Sequence, residues 1–408
     1  MRSVRGAALT EAAHVRQECA ADAAAKAAAP IILLDAYAIA EETHIYSTAL
    51  PAAQTDGSIL WRDVCSRASS LTSFVAQLSN EELAQLCVGY YSETSGGGVI
   101  GDASTQVAGG AGETSHALVQ RGVPSLVMAD GPAGLRLERV YTLTARGEAH
   151  AAAADAAGTK YYQYATAIPI GTALAQSWNE TLVFDIGVLI GHEMERFGVQ
   201  IWLAPALNIH RSPLCGRNFE YYSEDPLLSG RMGAALVRGV QSHSNCAAAI
   251  KHFACNNQET NRYTSNSVLR QRALREIYLK PFEICVREAR LRTVMTAYNL
   301  VNGEHASSSV ELLTYVLRDE WGFDGFVMSD WFVTGIGTVL DESARSARYA
   351  SAAGHVRAGN DVTMPGSVQD LREILAAVDN PYPLTRADLQ RSAMHLLAQV
   401  LALAPMKQ

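Results

Sequence analysis

The strongest indication of the fold is the sequence GFDGFVMSDW, residues 322 to 331, in which an apolar run ends abruptly at Ser329, Asp330 and Trp331. Such a run is typical of a buried parallel strand, and barrel enzymes place their chemistry at the carboxyl ends of these strands. Taken alone, Asp330 is more simply explained as the N-cap of a following helix. The segments upstream favour a functional role instead.

Three further apolar runs end in polar clusters in the same way. They are SLVMADGPAGLR (125–136), AAIKHFACNNQE (248–259) and TVMTAYNLVNGE (293–304). A fourth segment, VQIWLAPALNIHRSPLCGRNFEYYSEDP (199–226), begins as a strand and continues as a loop that is too aromatic to be disordered, which indicates a functional loop. Because strand and helix patterns alternate after about residue 70, the sequence predicts an α/β fold. A TIM-type (β/α)8-like barrel is favoured over a doubly wound sheet. This prediction allows for strands that are irregular or missing.

From about residue 70 to about residue 402, the chain resembles glycoside hydrolase family 3, at its β-glucosidase-like barrel domain, through these dispersed motifs in the right order. The resemblance implies that Asp330 is the catalytic nucleophile. It also implies that the sugar before the scissile bond is held by a set of strand-end side chains, with an aromatic residue beside it. These are Asp130, Arg217, Lys251, His252 and Tyr298, flanked by Trp331.

The chemistry of these residue types agrees with sugar binding, because charge-assisted hydrogen bonds to ring hydroxyls are about twice as strong as neutral ones. Lys251, Arg217 and His252 are expected to donate such bonds and Asp130 to accept them. The same cations would lower the pKa of Asp330 and keep a nucleophilic carboxylate ionised.

Each assignment has a structural alternative. Lys251-His252 could be an ordinary strand end with a lysine reaching to solvent, and Tyr298 could be core packing. Arg217 and Glu220 could form an ion pair that braces the long loop, so Glu220 is expected behind Arg217 rather than against the sugar. Only the joint occurrence of these residues at successive strand ends favours the functional interpretation.

The predicted domain organisation differs from the usual family pattern. Members usually take their acid/base Glu from an α/β sandwich domain, and in one branch that domain and a fibronectin-like module precede the barrel. This chain resembles that branch: residues 1–29 are predicted as an alanine-rich extension, 30–75 as a linker or remnant of a preceding module and 76–408 as the barrel, with the sandwich absent.

Relatives that use a His/Asp pair carry it on the loop after the Lys-His strand, whereas this chain has ACNNQETNRYTSN (254–266) there, without His. A retaining mechanism needs a second group at roughly 5 to 5.5 Å from the nucleophile, and the sequence does not identify it.

Two classes of function remain. The first is a retaining β-glycosidase, β-glucosidase-like, that hydrolyses terminal β-D-glycosyl residues through a covalent intermediate on Asp330 with an acid/base Glu from a missing domain. The second is a truncated, non-hydrolytic carbohydrate-binding or inactive barrel. The expected partners are a small-molecule β-glycoside and either a second copy of the chain or a complementing sandwich domain.

Composition narrows the class of protein further. The 408 residues are 48% hydrophobic and 18% charged with a formal net charge of −8, which predicts no basic surface for nucleic acid. No apolar run is long enough for a bilayer, and an odd number of irregularly spaced cysteines favours reduced thiols in the cytoplasm. They are Cys19, Cys65, Cys87, Cys215, Cys246, Cys255 and Cys285.

Other local patterns carry no cofactor chemistry. His192-Glu193 begins like a zinc helix, but Arg196 stands where the second His would be needed, so no metal is predicted and no other cofactor is implied. Residues 96–101 fit GxGxxG, yet they follow a helical segment and are predicted as a loop at the barrel mouth. Residues 268–290 are predicted as an amphipathic helix with Leu269, Ala273 and Ile277 on its buried side.

Overall fold

The structure is a computed structural model, and it describes residues 50, 59–91, 104–144, 147–151, 159–335, 350–378 and 384–404. The predicted extension at 1–29 and the glycine-rich loop predicted at 96–101 lie outside the described residues. The division into domains therefore stays a prediction.

The centre of the fold is a six-stranded sheet in the order β1-β2-β6-β7-β9-β12, in which β1 is antiparallel to β2 and every other neighbouring pair is parallel. Five of its strands carry the segments that the sequence predicted. The strands are β1 (Gly112–Glu113), β2 (Val127–Ala129), β3 (Val140–Leu143), β4 (Ala149–Ala151), β5 (Tyr161–Tyr162), β6 (Ile201–Trp202), β7 (Ala247–Phe253), β8 (Asn266–Ser267), β9 (Thr293–Thr296), β10 (Leu300–Val301), β11 (Glu304–His305) and β12 (Phe326–Met328).

Helices alternate with these strands and cover the sheet. The α-helices are α1 (Trp61–Cys65), α2 (Leu71–Ala76), α3 (Asn80–Leu86), α4 (Gly171–Gln176), α5 (Glu180–Phe197), α6 (Pro226–Val240), α7 (Gln271–Ala273), α8 (Lys280–Ala289), α9 (Ala352–Ala358), α10 (Val368–Val378) and α11 (Arg386–Leu403). Segments Leu274–Tyr278 and Glu311–Glu320 are π-helical. The architecture is therefore α/β, with a mostly parallel sheet whose carboxyl ends are free to carry loops.

The sheet is buried on both faces, as parallel sheets usually are. Every residue of β7 is buried, and alternate residues pack into two different apolar clusters: Ala248 and Ile250 lie with α5, α6 and α8, whereas Ala247 and Ala249 lie with α2, α3 and α11. Trp61 of α1 and Phe74 of α2 belong to the second cluster, so these helices, which fall within the predicted linker, pack on the sheet.

Two glycines let α5 and α6 approach closely. A Cβ atom at Gly187 would lie 2.4 Å from the Leu236 carbonyl oxygen, and one at Gly239 would lie 2.1 Å from that of Phe184. Any side chain at either position would separate the two helices that hold β6 and β7 in place.

A buried ion-pair network lies against β12, just before the strand reaches Asp330. The Asp361 carboxylate accepts hydrogen bonds from Arg318 Nη2 at 2.6 Å, His395 Nδ1 at 3.0 Å and the Val327 amide at 2.8 Å. Although burial opposes ionisation, Arg318 and His395 hold the pKa of Asp361 below its ordinary value. This network joins the π-helix, β12 and α11 without using any of the predicted site residues.

The amphipathic helix predicted for 268–290 is interrupted. It divides into α7, a π-turn and α8, and Ile277 is 39% exposed while Leu274 and Leu279 are buried. The prediction for Ile277 is wrong because the wider π-turn rotates the following residues relative to a regular 3.6-residue period.

None of the helices in the described part of the chain is both long and apolar enough to cross a membrane. The cysteines at 65, 87, 215, 246, 255 and 285 are free thiols.

Candidate active site

The predicted site residues follow different strands of the sheet and meet at its carboxyl edge. Asp130 follows β2, Lys251 and His252 are in β7, and Asp330 follows β12. Lys251 Nζ lies 2.8 Å from Asp130 Oδ1, and His252 Nε2 lies 3.6 Å from Asp330 Oδ2. Arg217, from the loop after β6, donates from Nη2 to His252 Nε2 at 2.7 Å. These contacts link strands that are far apart in sequence into one constellation.

Asp130 is the anion at the centre of one ion-pair group. Its Oδ1 accepts from Lys251, whose side chain is only 4% exposed, and its Oδ2 accepts from Arg136. Burial alone would raise the pKa of Asp130, but Lys251, Arg136 and the Gly131 amide outweigh it and lower the pKa to about 2. Asp130 is therefore ionised at neutral pH.

His252 does not carry the positive charge that the sequence suggested. Because the Arg217 guanidinium can only donate, His252 Nε2 must accept its hydrogen bond, which places the ring proton on Nδ1, 3.3 Å from Asn208 Oδ1. Complete burial and the neighbouring cations Arg217, Lys251 and Arg262 push the pKa of His252 well below its ordinary value. The contact between His252 and Asp330 is thus not an ion pair.

Asp330 is 7% exposed and directs Oδ1 to the amide of Trp331, at 2.7 Å. Burial raises the pKa of this carboxyl above its ordinary value, and Arg217, Lys251 and Arg262 oppose that rise without cancelling it. The expectation that nearby cations would lower the pKa overall is wrong, because it left out the cost of removing the carboxylate from water.

Tyr298 lies beside Asp330 and is 3% exposed. Burial and the Asp330 carboxylate together raise the pKa of its phenol well above the ordinary value, so the hydroxyl keeps its proton and can donate a hydrogen bond to Asp330. The ring is held by Tyr263, with ring centroids 4.6 Å apart, and by Arg262, whose guanidinium carbon lies 4.3 Å from the ring centroid.

Two residues of the constellation were missed by the sequence analysis. Arg136 closes the ion-pair group of Asp130, and Arg262 joins Tyr298 to Glu259, which accepts from Arg262 Nη1 at 3.1 Å. Both stand in segments that had been quoted, DGPAGLR and ACNNQETNRYTSN, but the first was considered for its aspartate and the second for its lack of histidine. For both residues, the sequence signal that could have identified them was an arginine close to a strand end.

Glu220 occupies the position expected of it. It is 5% exposed and accepts from Arg217 Nε, so that the guanidinium is held between Glu220 on one side and His252 on the other. The pair also braces the loop, as the structural alternative proposed, and the two interpretations are compatible.

Trp331 is packed rather than open. It is 2% exposed, its indole N–H donates to the Ala111 carbonyl at 2.9 Å, and its ring lies against Gly112, where an added Cβ would come within 3.1 Å. Because Trp331 is almost completely buried, little of its ring surface is open to a ligand.

The arrangement presents an ionised acceptor (Asp130), fixed cationic donors (Lys251, Arg217) and a buried carboxyl (Asp330) at a single edge. These groups suit a neutral polyhydroxylated ligand whose reacting carbon approaches Asp330. No group of three or more His, Cys, Asp or Glu side chains within the described ranges is arranged to hold a metal ion.

Residues 151–399 match the family model of the glycosyl hydrolase family 3 N-terminal domain. The chain is 42% identical over 323 residues to β-glucosidase A of Butyrivibrio fibrisolvens (79% of this chain, 32% of the relative), and 38% identical over 360 residues to a β-glucosidase of Ruminococcus albus (86% and 34%). It therefore spans about a third of the length of these curated relatives.

Solved structures of β-glucosidases are also similar to this chain. A β-glucosidase from Paenibacillus barengoltzii aligns with a TM-score of 0.72 at 36% identity, over 90% of this chain and 37% of that one. β-Glucosidase 3B from Thermotoga neapolitana, in complex with α-D-glucose, aligns with a TM-score of 0.67 at 40% identity, over 79% and 41%.

Proposed function

The chain belongs to glycosyl hydrolase family 3, and from that premise we propose that its site binds the terminal β-D-glucosyl unit of a small glycoside and hydrolyses it with retention, with Asp330 as the nucleophile. One observation carries the proposal: side chains that follow separate strands meet at one edge of the sheet. Lys251 pairs with Asp130, and the adjacent His252 contacts both Arg217 and Asp330.

In the proposed reaction, a carboxylate oxygen of Asp330 attacks the anomeric carbon while the bond to the leaving oxygen breaks and that oxygen takes a proton from a general acid. Water then attacks the same carbon, releases Asp330 as a carboxylate and gives its proton to the conjugate base. Asp330 must be ionised for the first step. Its raised pKa makes it a more basic nucleophile than an exposed aspartate, and the cations Arg217, Lys251 and Arg262 favour the ionised form.

The sugar would be held by the remaining groups. Asp130 and Lys251 supply an acceptor and a donor of charge-assisted hydrogen bonds, and Arg217 supplies another donor. His252 would act by positioning Arg217, because its own Nε2 is occupied by that guanidinium. Tyr298, which keeps its proton, would hold Asp330 in place, and Trp331 would form one wall of the subsite.

We propose that the acid/base group comes from outside this constellation, from a complementing α/β sandwich domain or from another chain. Of the described carboxylates near Asp330, Glu220 is bound to Arg217, and Glu259 is bound to Arg262 and lies 3.9 Å from Arg217 Nη1. Both carboxylates are therefore already engaged with guanidinium groups.

We also propose that the sheet closes into an eight-stranded barrel. Two segments outside the six strands support this: Thr363 N donates to Cys87 O and Gly89 N to Thr363 O, each at 2.9 Å. On one side Ser329 N donates to Val362 O, and on the other Tyr90 N donates to Glu113 O, again at 2.9 Å in both cases. Residues 87–90 and 361–364 would then be the two strands between β12 and β1.

The direct test uses a 2-fluoro glucoside with a dinitrophenolate leaving group, which forms the glycosyl-enzyme without needing an acid and releases it slowly. Mass spectrometry of the labelled peptide is expected to locate the sugar on Asp330, and Asp330→Asn is expected to remain unlabelled. As a matched control, Asp324→Asn changes an exposed aspartate six residues away and should label normally. Labelling at another residue would exclude this role for Asp330.

A further inference from the structure

A second polar cavity lies beside the catalytic constellation, on the other face of the loop that follows β7. Its volume is about 480 Å³, within the range of about 300–1,000 Å³ usual for small-molecule sites. Its lining includes Arg211, Asn257, Gln258, Asn261, Thr264 and Tyr278, and none of the residues that the proposed reaction uses. We call this cavity the outer groove.

The loop 254–266 separates the two sites. Glu259, Arg262 and Tyr263 turn toward the catalytic constellation, where they contact Arg217 and Tyr298. Residues between and beside them, Asn257 and Asn261 among them, line the outer groove instead. One segment thus presents charged and aromatic groups on one face and amides and hydroxyls on the other.

The groove walls hold hydrogen-bonding groups that the described protein does not use. Asn257 is fixed by its Nδ2, which donates to the Ile209 carbonyl at 2.6 Å, and its Oδ1 receives no hydrogen bond from the described residues. Gln258 donates to Thr260 O at 3.2 Å and likewise has an unused carbonyl. The exposed Arg211 guanidinium forms no ion pair within the part of the chain that the structure describes.

This lining selects a class of ligand. It contains no carboxylate, which excludes a metal cation or an amine, and a single arginine with no second cation is a poor site for a phosphate group. Amides, several hydroxyls, one guanidinium and the ring of Tyr278 are the groups that bind the hydroxyls and the apolar face of a sugar ring.

We propose that the outer groove is a non-catalytic binding site for a neutral oligosaccharide, distinct from the site at Asp330. A ligand in the outer groove would contact the loop 254–266 on the side away from Tyr298. It would thereby hold Arg262 against Tyr298. The proposal does not require Asp330 to be a nucleophile.

The test is equilibrium dialysis with labelled cellotetraose, on the full chain carrying Asp330→Asn so that the probe is not hydrolysed. Two equivalents are expected to bind. Adding Arg211→Ala and Gln258→Ala should weaken one of them about tenfold or more, since each lost hydrogen bond contributes a few-fold in affinity. Both side chains are exposed, and an unchanged thermal midpoint would verify that this variant is folded.

The control pair, Arg272→Ala and Gln120→Ala, removes the same residue types from exposed positions outside the groove and should leave both equivalents intact. Adding Asp130→Ala instead should remove the other equivalent and leave the groove occupied. If the proposed function is wrong, only one equivalent of cellotetraose should bind to Asp330→Asn, and the groove substitutions Arg211→Ala and Gln258→Ala should still remove it. Binding that is equal in the groove and control variants, an absence of binding, or displacement of cellotetraose by inorganic phosphate would each overturn the proposal.

Discussion

Replacing Asp130 by Asn should cost stability as well as sugar binding, because it leaves Lys251 without an anion in a place where the ammonium is almost fully buried. The pKa of Asp130 is about 2, compared with an ordinary value of 3.8. A difference of roughly two pH units corresponds to about 2–3 kcal/mol of unfolding free energy. Removing one partner of a fully buried pair typically costs about 3–5 kcal/mol. Since the Asp130 side chain is 20% exposed, the expected loss is at the lower end, about 2–3 kcal/mol.

The direction of the pKa shift determines how the stability difference between the wild-type chain and Asp130→Asn changes with pH. The pKa of Asp130 is lower in the folded state than in the unfolded one, so its contribution is fully present above about pH 4 and is lost as the pH falls through about 2. The gap in stability between the wild-type chain and Asp130→Asn should therefore be widest at pH 7 and fall to about half by pH 3.

Urea unfolding followed by circular dichroism at pH 7, 5 and 3 measures this gap. Asp185→Asn is the matched control, because it removes a carboxylate from the exposed side of α5 and should change stability by less than about 0.5 kcal/mol. If Asp130→Asn were as stable as the control at pH 7, or if the gap did not narrow in acid, the ion pair with Lys251 would not have the importance argued here.

Three further outcomes are expected. Asp361→Asn should lower the unfolding free energy by about 3–5 kcal/mol, measured by urea unfolding, since it leaves the Arg318 guanidinium buried without its anion; a loss below 1 kcal/mol would contradict this. Burial raises the pKa of Glu304 from 4.5 to about 7, so the chain should lose stability as the pH rises from about 4.5 to about 7, and Glu304→Gln should abolish that loss. A wild-type stability that is flat from about pH 4 to about pH 8 would be inconsistent with it. The 408-residue chain alone should hydrolyse a dinitrophenyl glucoside far better than cellobiose, because only cellobiose needs a positioned acid, which contributes about 10² to 10⁴ in rate. Azide should increase turnover of the dinitrophenyl glucoside. Cellobiose turnover at roughly 1 to 10³ per second would show that the chain contains its own acid.

Five strands of the central sheet were predictable because each of them has a local signature. An apolar run that ends in a polar cluster specifies both a buried strand and the residue at its carboxyl end, so Asp130, Lys251 and Asp330 could be named in advance. That Lys251 would contact Asp130 follows from the parallel order of the sheet, which places the carboxyl ends of its strands at a common edge.

The charge states and the loop contacts were harder to predict from the sequence. The pKa of Asp330 and the neutral state of His252 depend on complete burial, which is set by packing from distant parts of the chain. Arg262 reaches Tyr298 across a loop whose path has no periodic pattern, and the π-turn before Leu279 breaks the period that had placed Ile277 in the core.

The double pairing of Asp130 affects how the site can admit a ligand. A carboxylate offers about four lone-pair directions, and Lys251 and Arg136 use one on each oxygen. The Gly131 amide uses a third, so one direction remains, and a ligand hydroxyl can bind there without displacing either cation. Sugar entry would then require no ionic bond to open, and the affinity for glucose should vary little with ionic strength.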